Sequence, residues 1–277
     1  MSALTQELAS FAVGTGDVPG DVRAGAARAI SAGAAAAAAG ADDPEVIMIA
    51  EVAGSLGTPP EAGVPGRSDR YAAPVAALLT AAAAAASADA SYLSVVVPAG
   101  LATAAARGLR LAAVADAVAV GLEIADRLDS ALAGRLGPFD PVSTIGRLAA
   151  AGTAGRLLGL SAAAAAHACS LAATQAAGFA VLTGEPADVL QSGKAAADAV
   201  QAAWLALGGF TAGLAGIEGR RGFAAVLAPG ASLDGAAGKL GQTWAVTTGQ
   251  MCSEHHPAEL SQLADAFISS FPPTKRS

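Results

Sequence analysis

Aromatic side chains make up only 4% of this 277-residue chain, and charged ones only 14%. A sheet protein built on aromatic and β-branched residues is therefore excluded. Cysteine is almost absent. Cys169 and Cys252 stand far apart, which gives no disulfide framework and fits a reducing cytoplasm, the expected location. Basic residues are few, 16 Lys and Arg against 23 Asp and Glu, for a net charge of −7 without a basic cluster. That balance argues against nucleic acid as a partner. Long apolar runs are missing too: SAGAAAAAAGA (31–41) and ALLTAAAAAASADA (77–90) are short and mostly alanine, too weakly apolar to span a membrane. The first residues, MSALTQELASFAVG, carry Glu7 and no basic segment, so no signal peptide is expected.

What is present is alanine, the best helix former, which loses no side-chain entropy on folding. The expected fold is all-α, a multi-helix bundle of closely approaching helices. Leu4, Leu8 and Phe11 share one face of a first helix, and Asp21 is positioned to cap a second that runs to Gly40. Asp43 followed by Pro44 reads as a cap and first-turn proline. GSLGTPPEAGVPGRSDR (54–70) reads as a loop, and a helix over about 71–87 ends at ASADASYL before another resumes. The strongest 3.6-residue period lies in 111–132, and further helices are expected over about 142–158, 161–179 and 190–207. Residues 208–230 read as irregular, and a last helix follows Pro257. The division expected is a helical domain over 1–240 and a short appendage over 241–277.

Generic chemical motifs are missing: no phosphate loop, dinucleotide fingerprint, CxxC pair or nucleophile elbow. CSEHH (252–256) places one Cys and two His together, but a closed zinc site needs four ligands and the chain offers one further His and one further Cys. No metal is expected. His167 reads as a hydrogen-bonded core residue.

Longer segments are more telling. SVVVPAGLATA (94–104), FDPVSTIG (139–146), TQAAG (174–178), GEPADVLQSGKAAADA (184–199), GGFTAG (208–213), IEGRRGF (217–223) and LGQTWAVTTGQMCSEHHPAEL (240–260) occur in this order. Together they resemble the MmgE/PrpD family, which includes 2-methylcitrate dehydratase, cis-aconitate decarboxylase and iminodisuccinate epimerase. The resemblance implies that family's helical domain, with residues after 240 as the start of a smaller lid domain that is otherwise missing. It also implies a cofactor-free site.

The departures from the family pattern are chemical. The segment that supplies the family's catalytic Asp aligns with AAAAAASADA (81–90), which keeps only Asp89. The family's next two positions, His and Pro, are Ser91 and Tyr92 here. Asp140 stands where the resemblance places a substrate-facing His, Asp188 for Lys, Gln191 for His and Thr247 for Lys. One basic position is kept as Lys194, for Arg. Family substrates carry two or three carboxylates, so exchanging cations for acids and amides should repel them. What the resemblance then implies is a lyase, isomerase or cyclase acting on a neutral or cationic biosynthetic intermediate. Its expected catalytic residues are Asp140, Asp188 and His256. The expected substrate-binding residues are Tyr92, Ser143, Gln191, Lys194, His255 and Asp89. The rival expectation is a pseudoenzyme that binds or scaffolds, with the alanine run left by relaxed selection. A homodimer is expected, or a separate chain supplying a lid.

Overall fold

The computed structural model describes residues 4–88, 90–247 and 258–271. Eleven α-helices are present among them. They are α1 (Leu4–Gly14), α2 (Gly20–Ala39), α3 (Pro44–Ser55), α4 (Ala73–Ser87), α5 (Leu93–Arg107), α6 (Leu111–Leu132), α7 (Pro141–Leu157), α8 (Ala162–Thr174), α9 (Pro186–Leu207), α10 (Phe223–Leu227) and α11 (Ala258–Ser269). The fold is an all-α bundle. No helix among the described residues is long and apolar enough to cross a membrane.

α7 is the centre. Every residue from Ser143 to Gly155 is buried, and α1, α5, α6, α8 and α9 all pack on it. A helix buried on all sides is apolar all round, which is why this segment lacks a one-sided pattern. α4 lies against α2, α5 and α9 through a row of methyl groups, Ala81 to Ala84, none more than 3% exposed. Its neighbours come very close. A Cβ on Gly40 would lie 2.1 Å from the Ala83 carbonyl oxygen, and one on Gly193 of α9 would lie 2.9 Å from the Leu78 carbonyl oxygen.

Several boundaries differ from the sequence reading. Asp43 does cap α3, accepting from the Glu45 N–H (3.0 Å), with Pro44 in the first turn. Asp21 does not cap α2. That helix begins one residue earlier, Pro19 holds the cap position, and Asp21 lies in the first turn. The 54–70 loop contains half of a small hairpin, β1 (Ala62–Gly63) paired antiparallel with β2 (Arg70–Tyr71). α8 stops at Thr174 and α9 starts at Pro186, so a strap of irregular chain runs between them.

Beyond residue 240 the chain still packs on the bundle. Buried Glu123 on α6 accepts from the Ala245 N–H (2.8 Å), and Arg127 one turn on donates to the Thr243 hydroxyl (2.6 Å). α11 lies along α2, with Phe271 buried in the main core.

Candidate functional site

Most of the described residues singled out by the resemblance lie near the N-terminal ends of α5, α7 and α9. The start of α7 has Tyr92 of α5 on one side, which reaches Asp129 in the last turns of α6, and Gln191 of α9 on the other. Asp89, His255 and His256, with the whole CSEHH stretch, lie outside the described residues.

Asp140 is the N-cap of α7. Its carboxylate oxygen Oδ2 accepts from the Ser143 N–H (2.7 Å), its carbonyl accepts from the Thr144 hydroxyl (2.6 Å), and Pro141 follows in the first helical turn. The acid therefore satisfies a backbone donor and complements the positive end of the helix. Its second oxygen has no hydrogen bond among the described residues. Tyr92 stands at the start of α5, half-buried, and its hydroxyl donates to Asp129 Oδ1 on α6 (2.5 Å). Burial first, then that hydrogen bond and the charges of Asp129, Asp140 and Asp126, push the phenol far above the ordinary tyrosine range. Tyr92 is thus a fixed proton donor to Asp129, not a base.

On α9, Asp188 accepts from the Gly184 N–H through Oδ2 (3.0 Å) and from the Gln191 side-chain amide through Oδ1 (3.3 Å). Gln191 Oε1 accepts from the Phe179 N–H (2.5 Å). Ser143 is wholly buried beneath Gly178, a residue with φ +137° where a Cβ would lie 2.0 Å from the Ser143 Oγ. Only glycine fits that position. The strap between α8 and α9 thus lies across the seam between α7 and α9, and its main chain occupies groups that the resemblance assigns to substrate. Phe139 and Phe179 form an antiparallel bridge whose rings stack at 5.8 Å.

Deeper along the same seam is a charge network that the sequence reading missed. Arg147, 2% exposed, lies 3.4 Å from Asp198 on α9 and donates to the Gln175 carbonyl (2.6 Å). Burial pulls the guanidinium below its ordinary range while Asp198 opposes that shift. Lys194, half-exposed, donates to the other Asp198 oxygen (2.7 Å), so one carboxylate is shared by two cations. One signal for this network was available: Arg147 and Asp198 are isolated charges within small apolar helices, and such charges need partners. Asp129 gave no such signal, since its helix carries several acids and only the fold selects the one facing Tyr92.

Thr247 is exposed and its hydroxyl donates to the Trp244 carbonyl within its own turn (2.7 Å). His167 Nδ1 lies 2.8 Å from the Ala212 carbonyl oxygen, a half-buried backbone tie. Chemically, Asp140 offers the one unengaged carboxylate oxygen among the described residues of the predicted set, beside a tyrosine whose proton is held. Comparison with known families gives a match of residues 6–236 to the MmgE/PrpD N-terminal domain. No curated protein matches the chain.

Proposed function

Because the chain belongs to the MmgE/PrpD family, we propose that it is a repurposed acid–base enzyme of that family. It acts without cofactor as a lyase, isomerase or cyclase on a neutral or cationic biosynthetic intermediate. The observation that carries this reading is the surroundings of Tyr92: Asp126, Asp129 and Asp140 all act on it, and no cation among the described residues does. A substrate carboxylate held about 6 Å from one of these acids would be opposed by roughly 3 kcal/mol at an effective dielectric of 20. A tricarboxylate meets that cost several times over. The Arg147–Asp198–Lys194 group keeps one net positive charge, which offsets only part of it.

In this reading Asp140 transfers the proton, and Tyr92 and Ser143 orient the substrate. Asp188, Gln191 and Lys194 form the α9 wall, with Asp188 as the second acid–base group. His256 is the proposed proton shuttle, with His255 and Asp89 completing the binding surface. The working form is a cytoplasmic homodimer or a complex with a lid-supplying chain, which light scattering and co-purification would distinguish.

A second reading, a non-catalytic binding subunit, is favoured by one observation: both Asp188 oxygens and the Gln191 amide are already hydrogen-bonded. Two measurements separate these readings. Purified protein incubated with 2-methylcitrate or cis-aconitate should give no product by NMR, and turnover of either refutes the proposal. In a thermal-shift panel, neutral and monocationic compounds should raise Tm where tricarboxylates do not, and Asp140→Asn should abolish the effect. Binding with no turnover of any bound compound would leave the second reading standing.

A further inference from the structure

We propose that residues 176–184 form a gate that seals the seam between α7 and α9, and that it must lift before a ligand reaches Ser143, Asp188 or Gln191. The inference rests on the reading of that seam as the ligand site. The two ends of the strap are fixed. Arg147, held in the core, donates to the Gln175 carbonyl at one end (2.6 Å), and α9 begins at Pro186 at the other. Between them the anchorage is slight. No residue from Phe179 to Ala187 is buried; Phe179 is 51% and Val181 82% exposed.

What holds the strap down is a small set of contacts to the site itself. The Phe179 N–H donates to Gln191 Oε1, the Gly184 N–H to Asp188 Oδ2 and the Ala180 N–H to the Pro138 carbonyl (2.9 Å); the Gly178 carbonyl accepts from the Asp140 N–H (3.2 Å), and the Phe139 and Phe179 rings stack. Segments with few buried apolar contacts open locally at low free energy, independently of global unfolding. Gly184, at φ +78° in open space, can act as the hinge once its N–H leaves Asp188. Gly178 closes the seal, because its missing side chain lets the backbone sit directly on Ser143. Lifting the strap releases both Asp188 oxygens, one directly and one by freeing Gln191 to turn. A closed gate also explains why acids placed for chemistry are found hydrogen-bonded to backbone.

The test uses thiol alkylation with iodoacetamide in the full chain carrying Ser143→Cys and Cys252→Ser. Native Cys169 is the internal control: it is buried within the bundle on α8, and burial pushes its thiol up to about 12, so it reports global unfolding. A gate predicts that the thiol at position 143 reacts at least about 100-fold faster than Cys169. Reaction of both thiols within about threefold of each other overturns the proposal. Hydrogen exchange of the wild-type chain is the second measurement, free of any substitution. The Phe179, Ala180 and Gly184 amides should exchange at least about 100-fold faster than those of Ala149 and Ala150 in α7. Matched rates again overturn the gate. Neither measurement needs a ligand, so a working gate with failed ligand binding would count against the site reading alone.

Discussion

Replacing Asp198 with leucine should destabilise the chain by about 3–4 kcal/mol, while replacing Arg147 with methionine should cost roughly half as much. The two residues form one buried pair, so the asymmetry comes from their other partners. At 3.4 Å and an effective dielectric of 20 the gross attraction is about 5 kcal/mol, most of which offsets desolvation. Removing Asp198 leaves Arg147, 2% exposed, with only the Gln175 carbonyl as acceptor and its Nε already without a partner. Removing Arg147 instead leaves Asp198 with Lys194 at 2.7 Å, a cation that reaches solvent. The double variant Arg147→Met/Asp198→Leu should return to within about 1 kcal/mol of wild type, since two well-packed apolar groups replace a costly pair. Urea unfolding of the four proteins at pH 7 measures this cycle, and the Asp198→Leu loss corresponds to a Tm drop of about 5–7 °C. An Arg147→Met variant at least as unstable as Asp198→Leu would refute the account, because Lys194 would then not be acting as the reserve partner.

Three other outcomes follow from the same geometry. Tyr92 has a raised folded-state pKa, so its contribution is fully present below the unfolded tyrosine value near 10 and is lost as pH rises above it. Stability curves measured from pH 8 to 11.5 should therefore fall less steeply for Tyr92→Phe, by up to about 1.4 kcal/mol per pH unit above pH 10; identical slopes would contradict the assignment. Gly178→Ala should cost about 2–3 kcal/mol, from positive φ and the contact with Ser143, and Gly178→Ala/Ser143→Gly should recover part of that in urea unfolding. Asp140→Ala should lose about 1 kcal/mol of stability whereas Asp140→Asn, which can still cap α7, should lose only a few tenths by the same measurement.

The helical architecture could be read from the sequence wherever a local signal was strong. Asp43–Pro44 specified the start of α3, and Asp140–Pro141 that of α7, because cap and first-turn proline are neighbours in sequence. The 3.6-residue period gave α6 over its full length. Asp21 misled because a residue of capping type stood next to a Pro–Gly pair that starts α2 without any side-chain cap. The hairpin was hidden because its paired residues, Ala62 with Tyr71 and Gly63 with Arg70, are too few to show an alternation. For the candidate site, resemblance singled out Tyr92, Asp140, Ser143, Asp188, Gln191 and Lys194 but not what each one touches. The Tyr92–Asp129 and Arg147–Asp198 pairs join residues 37 and 51 positions apart in the chain, and only folding makes them neighbours.

The alanines of α4 set a limit on how this lineage can change. With Gly40 and Gly193 seated against its backbone, the helix leaves no volume for anything beyond a methyl group at positions 81–84. Larger side chains there would force the flanking helices apart, at about 1–3 kcal/mol each. Substitution along this tract is a ratchet: once the neighbours have closed in on alanine, recovering a bulkier polar residue takes several coordinated changes. The tight spacing now holds the run at alanine, and any chemistry this protein performs has to be assembled from the walls that face it.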